Sequence, residues 1–427
     1  METNSVIACK KNKMPAHVKI SILCMILYAL SYVSRKAVDS NANELMAFFS
    51  KSKSEIGFVG TMFFIAYAVG QVFHGAMCKK YNPQYTVFIA CVIGAVSNFI
   101  IGILPKNAFV VLYFVWLLNG FSMAMLWPSI ILLVSRVMTK AQKKKAMLFL
   151  TLPVAMGTFL SKGLSAITSY IGNFKLMFFI SSIPMAIIGF IWLFSVPKLS
   201  KKCLNDKRAE EQESCHLQQA KGFREKKKGF PKGFITSFIF MAFIAISCNL
   251  LKDGVDFWTP TILRDEFNLP NYLSVTISMV LPLVAVLGGI FAVKLHKKLN
   301  SIFRLLLILF SGVLILISTI FGLFNTGIII LIVILLALTM FFMQAINNVV
   351  TSIYPLTSYG VNAGSVAGFI DGFCYVGSAI GTYGLGSVAD TIGWRGVFII
   401  LIAVSIGVLV SLLIFNLINN AKIKKID

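Results

Sequence analysis

Long apolar runs recur along the whole chain, and they constrain its fold more than any other feature. Each run has roughly 18–25 residues, enough for a helix to cross the ~30 Å hydrocarbon core of a bilayer. The runs are uninterrupted, whereas the strands of a membrane barrel alternate apolar and polar residues. The sequence therefore predicts an all-α membrane protein with twelve transmembrane helices, over residues 18–38, 56–78, 86–104, 109–135, 146–170, 174–196, 234–260, 272–293, 303–323, 326–354, 361–389 and 394–418.

The composition agrees with a chain solvated by lipid. Of its 427 residues, 57% are hydrophobic and 13% are charged, a balance that soluble domains do not have. The net charge of +23 would suggest a nucleic-acid partner in a soluble protein. Here the basic residues concentrate in alternate loops, as around Lys80, Lys143 and Lys297, which the positive-inside rule explains. We therefore expect a lipid bilayer and no nucleic acid as partner, a place in the cell membrane, and both termini in the cytoplasm.

A polar, charged segment at residues 197–233 divides the predicted spans six and six. It has few bulky apolar residues, so it is predicted to be a flexible, basic cytoplasmic linker. An even division favours two pseudo-symmetric six-helix bundles around a central cavity, in a protein that functions as a monomer. The predicted parts are a cytoplasmic N-terminus, a first bundle, the linker, a second bundle and a cytoplasmic tail, at residues 1–17, 18–196, 197–233, 234–418 and 419–427.

The first span of each predicted bundle carries a basic residue at a similar depth. Arg35 occupies this position in the first bundle and Lys252 in the second, and each is followed four residues later by an aspartate, Asp39 and Asp256. Residues four apart on a helix share a face. Two matched polar stripes indicate side chains that face the central cavity, because polar residues within membrane spans usually avoid lipid.

Other spans carry polar side chains at helical spacing. Tyr28 and Tyr32 precede the arginine on the stripe of the first span, Lys162 lies in the fifth span, Asn347 in the tenth and Asp371 in the eleventh. We expect them to line the same path.

Each basic residue also has a simpler interpretation. Arg35 and Lys36 stand near the end of the first apolar run and could extend to water at a helix end. A helix that continues past residue 38 would instead leave Arg35 nearer the middle, and we favour a cavity position for Arg35 over one for Lys36. Lys252 either contacts the substrate, which we favour, or pairs with Asp253 or Asp256.

Three further ionisable residues have two interpretations each. Lys162 either lines the cavity or reaches a loop. Asp371 is either a counter-ion for a basic residue, which we favour, or a proton-coupling group. Asp256 has the same two roles open to it.

Several function classes are disfavoured by the sequence. It contains no nucleotide-binding loop or nucleophile triad, its four histidines have no metal-ligand spacing, and its eight cysteines are scattered without a CxxC pair. We therefore expect a protein that is not an enzyme, with no cofactor, metal or disulfide framework.

Three segments bear a family resemblance. The six-plus-six arrangement resembles the major facilitator superfamily. Within it, "YVSRK" in the first span, "LLKDGVDFWTPTIL" in the seventh and "GSVAGFIDGFCYVGSAIGTYGLGSVADTIGWRG" from the eleventh to the twelfth resemble the organophosphate:inorganic phosphate antiporters, which include glycerol-3-phosphate and hexose-phosphate transporters.

The resemblance implies roles for particular residues. In that family, a basic residue from the first span of each half binds phosphate at the cavity centre, which implies this role for Arg35 and Lys252, with Lys36 beside the first. Tyr28 and Tyr32 match positions where the family places tyrosines around the phosphate. Lys252 departs from the usual arginine. In the other departures, Val154 stands where these antiporters often have a histidine, Lys162 has no counterpart, and Asp371 replaces a small residue.

The predicted function is transport by alternating access of a small organic anion. The favoured substrate is a sugar phosphate or glycerol phosphate exchanged for inorganic phosphate. The alternatives are a proton-coupled symporter of another organic anion, such as a sugar acid, and a membrane sensor of sugar phosphates.

Overall fold

The computed structural model describes residues 14–77, 80–215, 234–299, 301–324, 326–359 and 363–423. The first 13 residues of the predicted N-terminus, residues 216–233 of the predicted linker and the last four residues of the predicted tail lie outside the described residues. The first half contains the helices α1 Ala16–Arg35, α2 Ala37–Ser40, α3 Ala42–Phe49, α4 Lys53–Met77, α5 Pro83–Ile103, α6 Phe109–Met123, α7 Leu126–Val137, α8 Lys140–Phe149, α9 Pro153–Tyr170 and α10 Lys175–Cys215. The second half contains α11 Phe234–Phe267, α12 Asn271–Ser278, α13 Val280–Leu299, α14 Ile302–Leu323, α15 Ile329–Asn348, a π-helical segment Val349–Ile353, α16 Tyr354–Tyr359 and α17 Ala363–Ile423.

Local sequence explains where several helices begin. Pro83 occupies the first turn of α5, and the Asn82 side chain before it accepts a hydrogen bond from the Gln84 backbone N–H at 3.0 Å. At the start of α4, the Ser52 hydroxyl accepts from the Glu55 N–H at 3.2 Å, and the Glu55 carboxylate accepts from the Ser52 N–H at 3.0 Å. These reciprocal bonds form a capping box, so the chain turns sharply into α4 after the short helix α3.

The described helices agree with twelve membrane crossings. Ten of them are long and apolar enough to span a bilayer. The longest, α17, contains Gly393 with φ 74° and ψ −179°, a conformation open to glycine, and this residue divides it into the last two predicted spans. The remaining crossing corresponds to α9, whose polar residues include Thr158, Ser161 and Lys162. The prediction of an all-α twelve-helix membrane fold is confirmed.

Two boundaries differ from those predicted. The first span is interrupted, because α1 ends at Arg35 and Lys36 stands between α1 and α2. The sixth span continues as α10 to Cys215, so the segment predicted to be flexible from residue 197 is helical as far as that residue. Its lysines, glutamates and arginines form helices well even though they are too polar to enter a core. Polarity indicated the membrane boundary there but not the helix end.

The two halves meet along α4 and α17, and along α9 against α12 and α13. The packing between α4 and α17 is close, because a Cβ added at Gly57 would lie 2.4 Å from the Thr382 carbonyl oxygen. We call the end of the bundle where α4 begins and α11 ends the distal end. The distal end lies opposite the N-terminal end of α1. The two halves are in contact at the distal end, and the candidate site lies between these contacts and the N-terminal end of α1.

Candidate functional site

Arg35 is a buried cation surrounded by aromatic rings. It lies at the last residue of α1 and its exposed fraction is 6%. Its guanidinium carbon lies 4.5 Å from the ring centroid of Tyr32, 4.4 Å from that of Tyr67 and 5.5 Å from that of Phe63. Ring faces attract a cation electrostatically but leave its N–H groups without a matching anion. Among the described residues, none of the ion pairs includes Arg35. The alternative of a side chain that reaches water at a helix end is wrong for Arg35.

Tyrosines from three helices surround this arginine. The Tyr28 ring packs on Tyr32 with 5.4 Å between centroids and on Trp127 with 5.2 Å. From the second half, Tyr375 packs on Tyr67 at 4.4 Å. The tyrosines predicted from the first span therefore lie beside Arg35, as the stripe indicated.

Sequence reasoning missed part of this cluster. Phe63, Tyr67 and Gln71 lie four residues apart on one face of α4, within an otherwise apolar run that carried no charge to mark it. Their regular spacing was the available signal.

Lys252 pairs with its neighbour in sequence. Its Nζ lies 3.3 Å from an Asp253 carboxylate oxygen, and the Ser378 hydroxyl donates to the same carboxylate. One turn before Lys252, the Asn249 side chain donates to Asn347 at 3.1 Å, which brings Asn347 to this face of α11. Lys252 and Asn347 therefore lie in the same region, while the alternative pairing of Lys252 with Asp256 is not observed.

Asp256 instead bridges the two halves of the protein. Its carboxylate lies 2.7 Å from Lys162 Nζ and 3.2 Å from Lys36 Nζ, and Lys36 also pairs with Asp39 at 2.7 Å. We call these four residues the bridge cluster. Its two lysines and Asp39 belong to the first half and Asp256 to the second. Buried charges are tolerated when they are paired and hydrogen-bonded, and this cluster meets that condition across the interface between the halves.

The bridge cluster bears on three residues that were named from the sequence. Asp39 pairs with Lys36 and not with Arg35, because the interruption of the helix at Lys36 changes the direction of the residues after it. Lys36, the less favoured of the two basic residues, is directed at the other half. Lys162 is 2% exposed, so the alternative in which it reaches a loop is wrong.

Asp371 has a neutral partner. The Gln71 Nε2 group of α4 donates to Asp371 Oδ2 at 3.2 Å, across the interface between the halves. No ion pair within the described part of the chain involves Asp371. The expected direct pairing with Arg35, Lys252 or Lys162 is therefore not observed. We call Arg35, Lys252, Asp253 and Asp371 the cavity group. It contains two cations and two carboxylates, as the bridge cluster does.

Further inter-half contacts close the distal end. The Asp390 carboxylate of α17 accepts hydrogen bonds from the backbone N–H groups of Lys53 at 3.2 Å and Ser54 at 2.7 Å. The Lys53 ammonium lies 3.3 Å from Asp265. Asn271 of α12 donates to Glu44 of α3. These contacts, which we call the distal seam, lie beyond the bridge cluster and hold the halves together at this end.

Comparisons with known proteins agree with this architecture. A family model described as Major Facilitator Superfamily matches residues 24–382. A probable hexose phosphate transport protein of Chlamydia trachomatis serovar D is 22% identical over 417 residues, which cover 91% of this chain and 88% of that protein. Membrane sensor protein UhpC of Escherichia coli K12 is 33% identical over 95 residues, covering 22% of this chain and 21% of that protein.

Two solved structures share the fold. A bacterial homologue of the human lysosomal transporter Spinster, in an inward-facing and occupied conformation, has a TM-score of 0.72 and 12% identity, with 95% of this chain and 97% of that chain covered. A D-xylose–proton symporter has a TM-score of 0.72 and 11% identity, with 92% of this chain and 97% of that chain covered.

Proposed function

Because this chain belongs to the Major Facilitator Superfamily, we propose that it carries a sugar phosphate or glycerol phosphate across the cell membrane in exchange for inorganic phosphate. The observation that carries this proposal is Arg35, a buried guanidinium that has aromatic neighbours but no carboxylate partner among the described residues. A guanidinium presents a fork of N–H donors that matches phosphate oxygens. Relatives of nearly the same length that are named hexose phosphate transport proteins support this class of substrate.

The neighbours of Arg35 supply complementary roles. The ammonium group of Lys252 is the second positive charge for the phosphate, and it turns from Asp253 toward the anion when the substrate enters. The hydroxyls of Tyr28 and Tyr32 donate to the remaining phosphate oxygens. The amide of Asn347 suits the hydroxyls of a sugar. The substrate thus contacts both halves of the protein at once.

A substrate that contacts both halves of the protein suits transport by alternating access. An anion held by Arg35 of the first half and Lys252 of the second favours conformations in which the halves are close together around it. Opening at the distal end requires the two ion pairs of Asp256 and the contacts of the distal seam to separate. We propose that both termini lie in the cytoplasm and that the protein functions as a monomer; in this orientation the distal end, where the halves are in contact, faces the outside.

Exchange can be measured directly in proteoliposomes. Vesicles that contain the purified protein are loaded with inorganic phosphate, and uptake of radiolabelled glucose 6-phosphate, glycerol 3-phosphate and a sugar acid is compared with uptake into vesicles without phosphate. We expect internal phosphate to accelerate uptake of a phosphorylated compound. Uptake of the sugar acid alone would contradict the proposal. So would the absence of phosphate exchange in vesicles that take up one of the other compounds.

The match to sensor proteins favours a second candidate function. Two membrane sensor proteins are 33% and 32% identical to this chain over 95 and 106 residues, and a sensor could use the same site to bind a sugar phosphate. The two functions differ in turnover. A sensor would bind glucose 6-phosphate in a thermal-shift assay, yet the same preparation would show no exchange.

A further inference from the structure

The second half of the protein contains a cavity that is separate from the candidate site. It has a volume of about 120 Å³ and is lined by residues of α11, α14, α16 and α17. We call it the lateral pocket. Ser237 of α11 lines the pocket, and roughly 22 Å of helix separates this residue from Lys252, at 1.5 Å per residue. None of the residues that line the lateral pocket belongs to the cavity group, the bridge cluster or the distal seam.

The lateral pocket lies at the end of the bundle opposite the distal end. Ser237 is in the first turn of α11, and Ile302 is the first residue of α14. Phe415 of α17 follows Gly393 by roughly 33 Å of helix, and Gly393 stands just after Asp390 of the distal seam. A distance of this size is the thickness of the hydrocarbon core. The pocket therefore lies at the depth where lipid chains meet their headgroups.

The walls of the lateral pocket are mainly hydrophobic. Four of the lining side chains are almost completely buried, namely Met241, Ile244, Leu306 and Leu412. The rings of Phe240 and Phe415 pack against each other with 4.9 Å between their centroids and form one side. Apolar cavities of comparable size stay dry, and one of ~150 Å³ can hold a benzene-sized molecule. The pocket therefore suits a segment of hydrocarbon chain.

The lateral pocket adjoins a surface that lipid covers. Ile239 precedes the lining residue Phe240 on α11, and Leu413 and Ile414 precede the lining residue Phe415 on α17. The exposed fractions of Ile239, Leu413 and Ile414 are 60%, 52% and 47%. Apolar side chains exposed on a membrane span contact lipid tails, which are as apolar as leucine. The hydrocarbon nearest to the pocket is therefore an acyl chain of the bilayer.

Positive charges without local counter-ions surround this end of α14. Arg304 is exposed in the first turn of α14, next to the lining residue Phe303, and Lys297 and Lys298 are exposed near the end of α13. Among the residues that the structure describes, no ion pair includes these three cations. The sequence contains no aspartate or glutamate from residue 267 to residue 370. Cations at the membrane surface attract anionic headgroups, and a guanidinium matches phosphate oxygens.

One polar contact interrupts the apolar wall of the lateral pocket. The hydroxyl groups of Ser237 and Tyr354 lie 2.7 Å apart, and both residues line the pocket. Hydroxyl groups both donate and accept hydrogen bonds. This polar contact suits the ester groups of a phospholipid, which stand between its acyl chains and its phosphate.

We propose that the lateral pocket binds part of one acyl chain of an anionic phospholipid whose phosphate lies at Arg304. The chain enters from the lipid-covered surface beside Phe240 and Phe415, and the ester groups lie near Ser237. One lipid then contacts α11, α14 and α17 and holds these three helices together. The proposal does not depend on which anion the central cavity carries, so it stands apart from the proposed function.

A photoactivatable phosphatidylglycerol with a diazirine in one acyl chain tests the site. The purified full chain is placed in phosphatidylcholine vesicles that contain a rising mole fraction of this lipid, and labelled peptides are identified by mass spectrometry after irradiation. We expect labelling of the residues that line the lateral pocket to saturate, because a single site becomes full. Labelling of the surrounding lipid-covered surface should rise in proportion to the mole fraction. Even labelling of the whole surface without saturation would show bulk lipid contact only and would overturn the proposal.

The headgroup is tested with a phosphatidylcholine that carries the same diazirine chain. We expect wild type to prefer phosphatidylglycerol in the lateral pocket, and Arg304→Gln to reduce this preference about fivefold, the effect of one basic residue near a membrane surface. Arg395→Gln is the matched control, because Arg395 is an exposed arginine of the same half near the distal end, and it should keep the preference. Equal labelling of the pocket of wild type by the two lipids would contradict an anionic ligand.

A larger side chain at Leu306 tests whether the chain enters the lateral pocket. We expect Leu306→Trp to lose most of the saturable labelling, because the indole occupies the space of the acyl chain. Ile308→Trp adds the same ring at a lipid-exposed position of α14 and should be labelled like wild type. If Leu306→Trp fails to fold, competition in wild type decides. Unlabelled phosphatidylglycerol in excess should displace the saturable label, and undiminished labelling of the pocket would contradict a specific site.

Discussion

The bridge cluster and the cavity group contain the same charges in different arrangements. Each has two cations and two carboxylates. In the bridge cluster every charged group lies within 3.2 Å of an opposite charge. In the cavity group only Lys252 and Asp253 form a pair, at 3.3 Å, while Arg35 faces rings and Asp371 faces an amide. Paired charges hold two surfaces together, whereas a cation without an anion can accept one from outside. The bridge cluster thus suits a gate, and the cavity group suits a binding site.

The largest expected effect comes from removing the unpaired cation. We expect Arg35→Ala to lower phosphate exchange at least ~100-fold, because loss of a buried charge from a charged contact costs about 2–5 kcal/mol. Arg35→Lys should restore part of the activity, since it keeps the charge but loses the planar fork. Exchange in proteoliposomes is the measurement, with Lys51→Ala as a control that removes a positive charge near the distal end.

Substitutions of Lys252 and Asp253 test how a paired charge inside the cavity group affects anion binding. Its charge is already matched by Asp253, so Lys252→Ala leaves behind a carboxylate that repels the anion. We expect the double variant Lys252→Ala with Asp253→Asn to exchange phosphate faster than Lys252→Ala alone. Equal loss in the single and double variants would show that Asp253 does not influence anion binding.

A substitution in the bridge cluster should make the distal end open more often and should not weaken anion binding. Lys162→Met keeps the length of the side chain and removes one of the two lysine partners of Asp256. Breaking a buried pair costs about 3–5 kcal/mol, but only in the conformation that contains it. We expect the distal end to open more often, which increases labelling by a maleimide of a cysteine introduced at Ser274, a fully buried position on α12.

Phosphate binding provides the control for this variant. Lys162→Met should bind phosphate within about threefold of wild type if the bridge cluster acts only as a gate, a difference below ~1 kcal/mol. Loss of phosphate binding without any increase in labelling would instead place Lys162 in the binding site. Five native cysteines are buried, namely Cys24, Cys91, Cys203, Cys248 and Cys374, and labelling of the parent protein is subtracted as background.

Two glycines allow the interface between the halves to be compared with the packing inside one half. A Cβ at Gly57 would lie 2.4 Å from the Thr382 carbonyl oxygen of the other half, and a Cβ at Gly120 would lie 2.3 Å from the Phe63 carbonyl oxygen of the same half. Overpacking of this kind costs about 1–3 kcal/mol. Gly57→Ala can relieve it by opening the distal end, so labelling at position 274 should rise. Gly120→Ala has no such relief and should lower the melting temperature without increasing labelling.

The contrast between the two clusters also shows what sequence could reveal. Apolar length predicted the spans, and the matched spacing of Arg35 and Lys252 led to the cavity group. Lys162 and Asp256 are 94 residues apart in sequence, and their contact depends on how the halves pack, which no local pattern encodes. Lys36 was undervalued because the regular helix assumed for the first span hid the interruption at that residue. Gln71 lay in an apolar run without a charge, so its partner on α17 was not predictable.

The smallest expected effect concerns a helix cap that crosses between the halves. Of the N–H groups at the start of α4, those of Ser52 and Glu55 are satisfied within the capping box, and those of Lys53 and Ser54 by Asp390 of the other half. Loss of a capping side chain costs about 0.5–2 kcal/mol, and water replaces this cap when the distal end opens. We expect Asp390→Ala to increase labelling at position 274 by a few-fold.

Asp390→Asn distinguishes the cap from a charge effect, because asparagine caps helices about as well as aspartate. We expect it to label like wild type. If Asp390→Asn increased labelling as much as Asp390→Ala, the negative charge and not the hydrogen bonds would hold the seam. Asp390 would then act by charge attraction, as Asp256 does, and the difference between a paired-charge gate at the centre and a backbone cap at the distal end would no longer stand.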